Sequence, residues 1–123
     1  MIYKIQIEKM EFRAAHGCYE TERKVGGNFT VDITLDVEDE GGVGADDVAR
    51  MVNYVGVYEA VREQMAVPSN IIENAAARII DAVYGRFPQV RRVEVTVAKL
   101  APPMGGKADR VSVTLSKSEN LGI

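Results

Sequence analysis

The chain has 123 residues, 46% of them hydrophobic, which suits one domain over residues 1–123 with a core of its own. A net charge of −3 and a pI of about 5.2 argue against a nucleic-acid surface. One cysteine, Cys18, rules out an intrachain disulfide and points to a reducing cytoplasm; with a single histidine, His16, it supplies too few ligands for a nitrogen–sulfur zinc site, although carboxylate-held magnesium stays open.

The opening MIYKIQIEKM is broken by Lys4, Glu8 and Lys9, so it is read as neither a signal peptide nor a membrane span. It suits a strand over 2–12. Tyr3, Ile5 and Ile7 share one parity and Met10 and Phe12 the other, which predicts a bulge near Glu8-Lys9. Residues 13–27 form a polar loop, with His16-Gly17 near its start and Gly26-Gly27 at its end. NFTVDITLDV, 28–37, alternates throughout and predicts a half-buried strand. The acidic, glycine-rich run 38–47 predicts a solvated connection.

A helix is predicted from about Asn53 to Met65, with Val57, Ala60, Val61 and Met65 on one face. Pro68-Ser69-Asn70 ends that segment, and Asn70 with Glu73 has the spacing of a capping box for a second helix, closing near Gly85. Strands follow over 90–99 and 108–117, with Val111, Val113 and Leu115 on the buried face of the last. The order strand-strand-helix-helix-strand-strand implies an α+β fold: a four-stranded antiparallel sheet with two helices on one face. The other face carries Thr30, Asp32, Thr34, Asp36, Glu94, Thr96, Ser112, Thr114 and Ser116. It meets either bulk water or a wet interior formed by several subunits.

Five residues are candidates for chemistry, each with a structural alternative. Lys99 ends the valine alternation of VEVTVAKLAPPMGG. It is either a proton-transfer group or a strand-end lysine whose stem packs while its head reaches water. Glu73, in the first turn of the second helix, is either a two-point acceptor for a planar N–H pair or a residue favoured there by the helix dipole. Tyr54 opens the first helix, as a packing residue or as one that stacks on a flat ligand and passes a proton. Glu22 sits in the charged loop stretch YETER, and His16 before Gly17 suits a turn residue better than a base. Ile72 immediately precedes Glu73.

Taken together, four segments resemble the dihydroneopterin aldolase family over nearly the whole chain. They are EFRAAHGCYETERKVGGNFTVDITL, MVNYVGVYEAV, NIIENAAARI and KLAPPMGG, in the family's order. The chain departs from the family at Ala14-Ala15 before His16-Gly17 and in the PPMGGK turn, where Gly106 and Lys107 follow Gly105.

The resemblance implies a carbon–carbon lyase that splits 7,8-dihydroneopterin into 6-hydroxymethyl-7,8-dihydropterin and glycolaldehyde, with side-chain epimerisation, in folate biosynthesis. It implies Lys99 as general acid and base, Tyr54 from a neighbouring subunit as a substrate and proton-transfer residue, and Glu22 at the substrate side chain. Ile72 and Glu73 would hold the pterin ring. No metal or other cofactor is implied, because the dihydropterin C=N bond accepts the electron pair. The implied architecture is the tunnelling fold, with sheets joined into a barrel and two tetramer rings stacked as a homo-octamer in the cytoplasm. Alternatives are an epimerase acting on dihydroneopterin triphosphate, for which Arg23, Lys24 and Lys107 offer cationic partners, and a non-catalytic pterin-binding assembly.

Overall fold

A computed structural model of the chain describes residues 1–119, with the side chains of Thr21 and Arg23 outside that description. The elements are β1 (Ile2–Ala14), α1 (Glu20–Val25), β2 (Gly27–Glu38), α2 (Gly42–Ala45), α3 (Tyr54–Met65), α4 (Ile72–Arg86), β3 (Val90–Leu100) and β4 (Arg110–Ser118). A 3-10 turn, Val48–Arg50, stands between α2 and α3. The four strands form one antiparallel sheet in the order β1-β2-β3-β4. Among the described residues, no helix is long and apolar enough to cross a membrane.

Alternation sets the layers. Phe29, Val31, Ile33, Leu35 and Val37 of β2 and Val93, Val95 and Val97 of β3 are buried on one face. Against them lie Val57, Ala60, Val61 and Met65 of α3 and Ala75, Ala76, Ile79, Ile80 and Val83 of α4. Their three- and four-residue spacing makes a single apolar stripe on each helix. Thr30, Asp32, Thr34 and Asp36 alternate onto the opposite face, where Thr96 and Thr114 hydroxyls hydrogen-bond across β3 and β4 at 2.7 Å.

The parity switch in β1 is a bulge. The register with β2 shifts between Ile7 and Met10, and Lys9 takes a positive φ of 53°. The Lys9 N–H, lost to the ladder, donates to Asp32 Oδ1 at 3.0 Å. The extra residue keeps Tyr3, Ile5 and Ile7 on the same face as Met10 and Phe12.

Three expectations need correction. The polar loop and the acidic connection both contain short helices, α1 and α2. The acidic connection is mostly exposed, as its composition predicts, and within it Asp39 Oδ1 accepts from the N–H groups of Gly41 and Val43 at 3.2 Å, so a carboxylate organises the turn. The capping box does not form. Ile71 is the N-cap of α4, without a side-chain hydrogen bond, one residue later than the spacing predicted. Val111 is exposed rather than buried, and Val113 and Leu115 are only half-buried, because β4 is an edge strand whose start runs past the cover of α4.

Candidate functional site

Lys99 is the next-to-last residue of β3 and pairs with Phe29 of β2, which in turn pairs with Phe12 of β1. Paired residues share a sheet face, so the lysine stem lies on the helix side, in line with the valines before it. Its Nζ stands 5.9 Å from the centroid of the fully buried Phe29 ring. The strand then stops abruptly. Ala101 takes a φ of 48° and its N–H donates to the Asp109 carbonyl at 2.9 Å, so the loop 101–109 closes on itself beyond the lysine.

Glu22 comes from α1, the short helix in the β1–β2 connection. Its carboxylate pairs with the Lys99 ammonium, and the two side chains are only 13% and 15% exposed. The pair lines a cavity of about 320 Å³ with His16, Gly26, Leu100 and Pro103. Burial lowers the Lys99 pKa from the ordinary lysine value, and the nearby Cys18 opposes part of that fall. A lysine held this way gives up its proton more readily than a surface lysine.

His16 is 1% exposed, and its Nδ1 lies 2.7 Å from Ser69 Oγ. The ring meets Phe29 edge-on, centroids 5.2 Å apart. The neighbouring Gly17 N–H donates to the Ser69 carbonyl at 2.9 Å. Burial holds the imidazole pKa at about 4; the Arg78 guanidinium and the Lys99 ammonium push the same way, and the Met65 backbone opposes them. His16 is therefore a neutral buried residue near pH 7, and it joins the β1–α1 connection to the segment that precedes α4. Its place before Gly17 in the sequence suggests only a turn residue. The available signal was its adjacency to Gly17 and its place between Phe12 and Glu22, but nothing in the sequence reveals its partner Ser69, 53 residues away.

The structure brings together Lys99, Glu22 and His16, but not Ile72, Glu73 or Tyr54. Ile72 and Glu73 sit in the first turn of α4, half-buried and exposed respectively, outside the lining of the Lys99 cavity. Their link to it is Ser69, a few residues upstream and bonded to His16 and Gly17. Tyr54 lies elsewhere. It starts α3 after the N-cap Asn53, whose side chain accepts from the Val55 N–H at 2.9 Å. It is 67% exposed, in an apolar depression of about 480 Å³ with Tyr3, Ile5 and Val52. Tyr3 pairs with Val37, at the opposite end of β2 from Phe29 and Lys99. Eight residues of strand separate the two rows, roughly 27 Å at ~3.4 Å per residue.

A family model described as dihydroneopterin aldolase matches residues 5–116. The chain is 30% identical to the dihydroneopterin aldolase of Bacillus subtilis, over 95% of this chain and 98% of that protein. It is 32% identical to that of Staphylococcus epidermidis, over 94% of this chain and 97% of that protein. Among solved structures, Escherichia coli dihydroneopterin aldolase in complex with neopterin superposes with a TM-score of 0.85 at 20% identity, covering 94% of this chain and 99% of that one.

Proposed function

The chain belongs to the dihydroneopterin aldolase family and carries that family's aldolase activity, and on that premise we propose how its own residues perform the reaction. Lys99, in its neutral form, takes the proton of the hydroxyl borne by the outer carbon of the bond that breaks. That hydroxyl becomes the carbonyl of glycolaldehyde as the C–C bond opens. The electron pair moves onto the C=N bond of the dihydropterin ring as an enamine. The proton on Lys99 then returns to the exocyclic carbon, giving 6-hydroxymethyl-7,8-dihydropterin and restoring the amine. The lysine ends as it began, with no covalent adduct. Rebinding of the aldehyde on the opposite face would epimerise the side chain.

The observation that carries this reading is the pairing of Lys99 with Glu22 at a cavity, both largely withdrawn from water. Glu22 keeps the ammonium oriented until substrate arrives. Glu73 accepts two hydrogen bonds from the aminopyrimidine edge of the ring, and the Ile72 backbone supports the same edge. Tyr54 is supplied by a second copy of the chain, since one copy's Tyr54 lies in the depression beside Tyr3, whose row on the sheet is eight strand residues from the Lys99 row.

A ring assembly accounts for the rest. Both sheet edges, β1 and β4, lack strand partners among the described residues, and an open edge calls for a neighbour. Edge-to-edge pairing of four sheets would close a barrel with the polar face inward, and two such rings would make the octamer. The exposed free thiol of Cys18 suits a reducing cytoplasm.

The test is release of glycolaldehyde from 7,8-dihydroneopterin, followed with separated products, beside the triphosphorylated substrate as comparison. Free substrate should be cleaved, and a Lys99→Ala variant should still bind pterin while turnover falls on the order of 10²- to 10⁴-fold. Undiminished turnover by that variant would remove Lys99 from the reaction.

A further inference from the structure

We infer that Gly17 is a positioning residue: its bare Cα is the seat that holds the Glu22 carboxylate against the Lys99 ammonium. The inference rests on the assignment of Lys99 and Glu22 made above. A Cβ built on Gly17 would stand 2.6 Å from Glu22 Cδ and 2.7 Å from each carboxylate oxygen. Real Cβ contacts do not come that close, so the whole carboxyl group occupies the volume that any other residue would fill at position 17. The carboxylate is confined between the glycine on one side and the ammonium on the other.

The seat is itself fixed. Gly17 is buried, and its N–H donates to the Ser69 carbonyl at 2.9 Å. Its neighbour His16 is hydrogen-bonded to Ser69 Oγ at 2.7 Å, wedged against the same Phe29 ring that backs Lys99. Residues 16 and 69 form a single parallel bridge outside the main sheet. Gly17 therefore cannot retreat from an added methyl without breaking this bridge; Glu22 must move instead. Displacement of about 1 Å at a reacting group costs on the order of 10²-fold in rate. Because Ser69 also leads into α4, the same bridge sets the span from the Lys99–Glu22 pair to Ile72 and Glu73.

The experiment is a double-mutant cycle of Gly17→Ala and Glu22→Ala on the intact assembly, with a pH profile of kcat/KM for each variant. Gly17→Ala alone should lower kcat on the order of 10²-fold and move the Lys99 inflection to lower pH, as Glu22→Ala does. Added to Glu22→Ala, it should cost no more than about twofold, since the carboxyl it displaces is gone. A backbone requirement behaves differently: φ at Gly17 is +159°, at the edge of the range L-residues adopt, and strain there would lower the rate equally in both backgrounds. Equal losses in both backgrounds, or a Gly17→Ala enzyme with the native rate and profile, would overturn the inference. If Gly17→Ala fails to fold, the double variant decides: a folded double variant supports the seat, an unfolded one refutes it. Full activity in Glu22→Ala and Lys99→Ala would instead sink the assignment of the pair, a result distinct from any of these.

Discussion

Protonating His16 should unlock one wall of the site, and the size of the effect follows from its burial. The imidazole pKa falls from 6.5 in the unfolded chain to about 4 in the folded one. Above pH 6.5 both states hold it neutral, and its full contribution to stability is present. As the pH drops from 6.5 towards 4, the unfolded chain takes up a proton that the folded protein refuses, so stability is lost through that window. Below about 4 both states are protonated and the loss ends. At about 1.4 kcal/mol for each pH unit, the whole change is about 3 kcal/mol. His16 is the chain's single histidine, so its ring resonance can be titrated without assignment. The midpoint should lie near pH 4. Urea unfolding at fixed protomer concentration should show the steeper acid loss in the native chain than in His16→Asn, whose side chain does not titrate. A ring midpoint of 6 or above, or identical pH slopes for both proteins, would refute the account of His16 as a neutral, desolvated ring.

Glu22→Gln removes the negative partner of Lys99, which favours the neutral amine and lowers its pKa further. The pH at which kcat/KM rises should therefore fall; a rise at unchanged pH would show that Glu22 does not act on the ammonium. Lys99→Ala and Tyr54→Ala subunits, each inactive alone, should regain activity when refolded together, with roughly one site in four restored by random mixing across a shared interface. Leu35→Ala, at a fully buried position between sheet and helices, should cost about 2–5 kcal/mol in denaturant unfolding. A cost below 1 kcal/mol would contradict the packing described.

Much of this fold lies in the period of its apolar residues. Phe29 to Val37 alternate without interruption, and Val57, Ala60, Val61 and Met65 hold one helical face. The bulge at Lys9 is equally local, since a change of parity along one strand has few other causes. The boundary of α4 was not so legible. Asn70 and Glu73 have the spacing of a cap, but the chain before α4 is tied back to His16 and Gly17 by Ser69, and this tertiary tie moves the start by one residue. The same limit applies to the site. Lys99 stands out because it ends an apolar alternation. Glu22 does not, because a glutamate among charged loop residues looks like any solvated one. Its burial depends on the empty side of Gly17, and that contact belongs to the folded loop. His16 and Ser69 are distant in sequence and carry no shared pattern.

The bulge in β1 also sets a rule for how this gene tolerates changes in length. Tyr3 beside the Tyr54 depression and Phe12 beside the Lys99 row stand at opposite ends of one strand, yet face the same layer only because Lys9 is the odd residue between them. Excising that single residue would turn residues 2–8 inside out, sending tyrosine and isoleucines to the hydrated face and Lys4 into the helices. Loss of two residues would preserve the facing and merely shorten the strand. Length variation here is therefore expected in even steps, whereas the 101–109 loop, whose Gly105 and Gly106 have nothing packed against them, is free to grow or shrink by one.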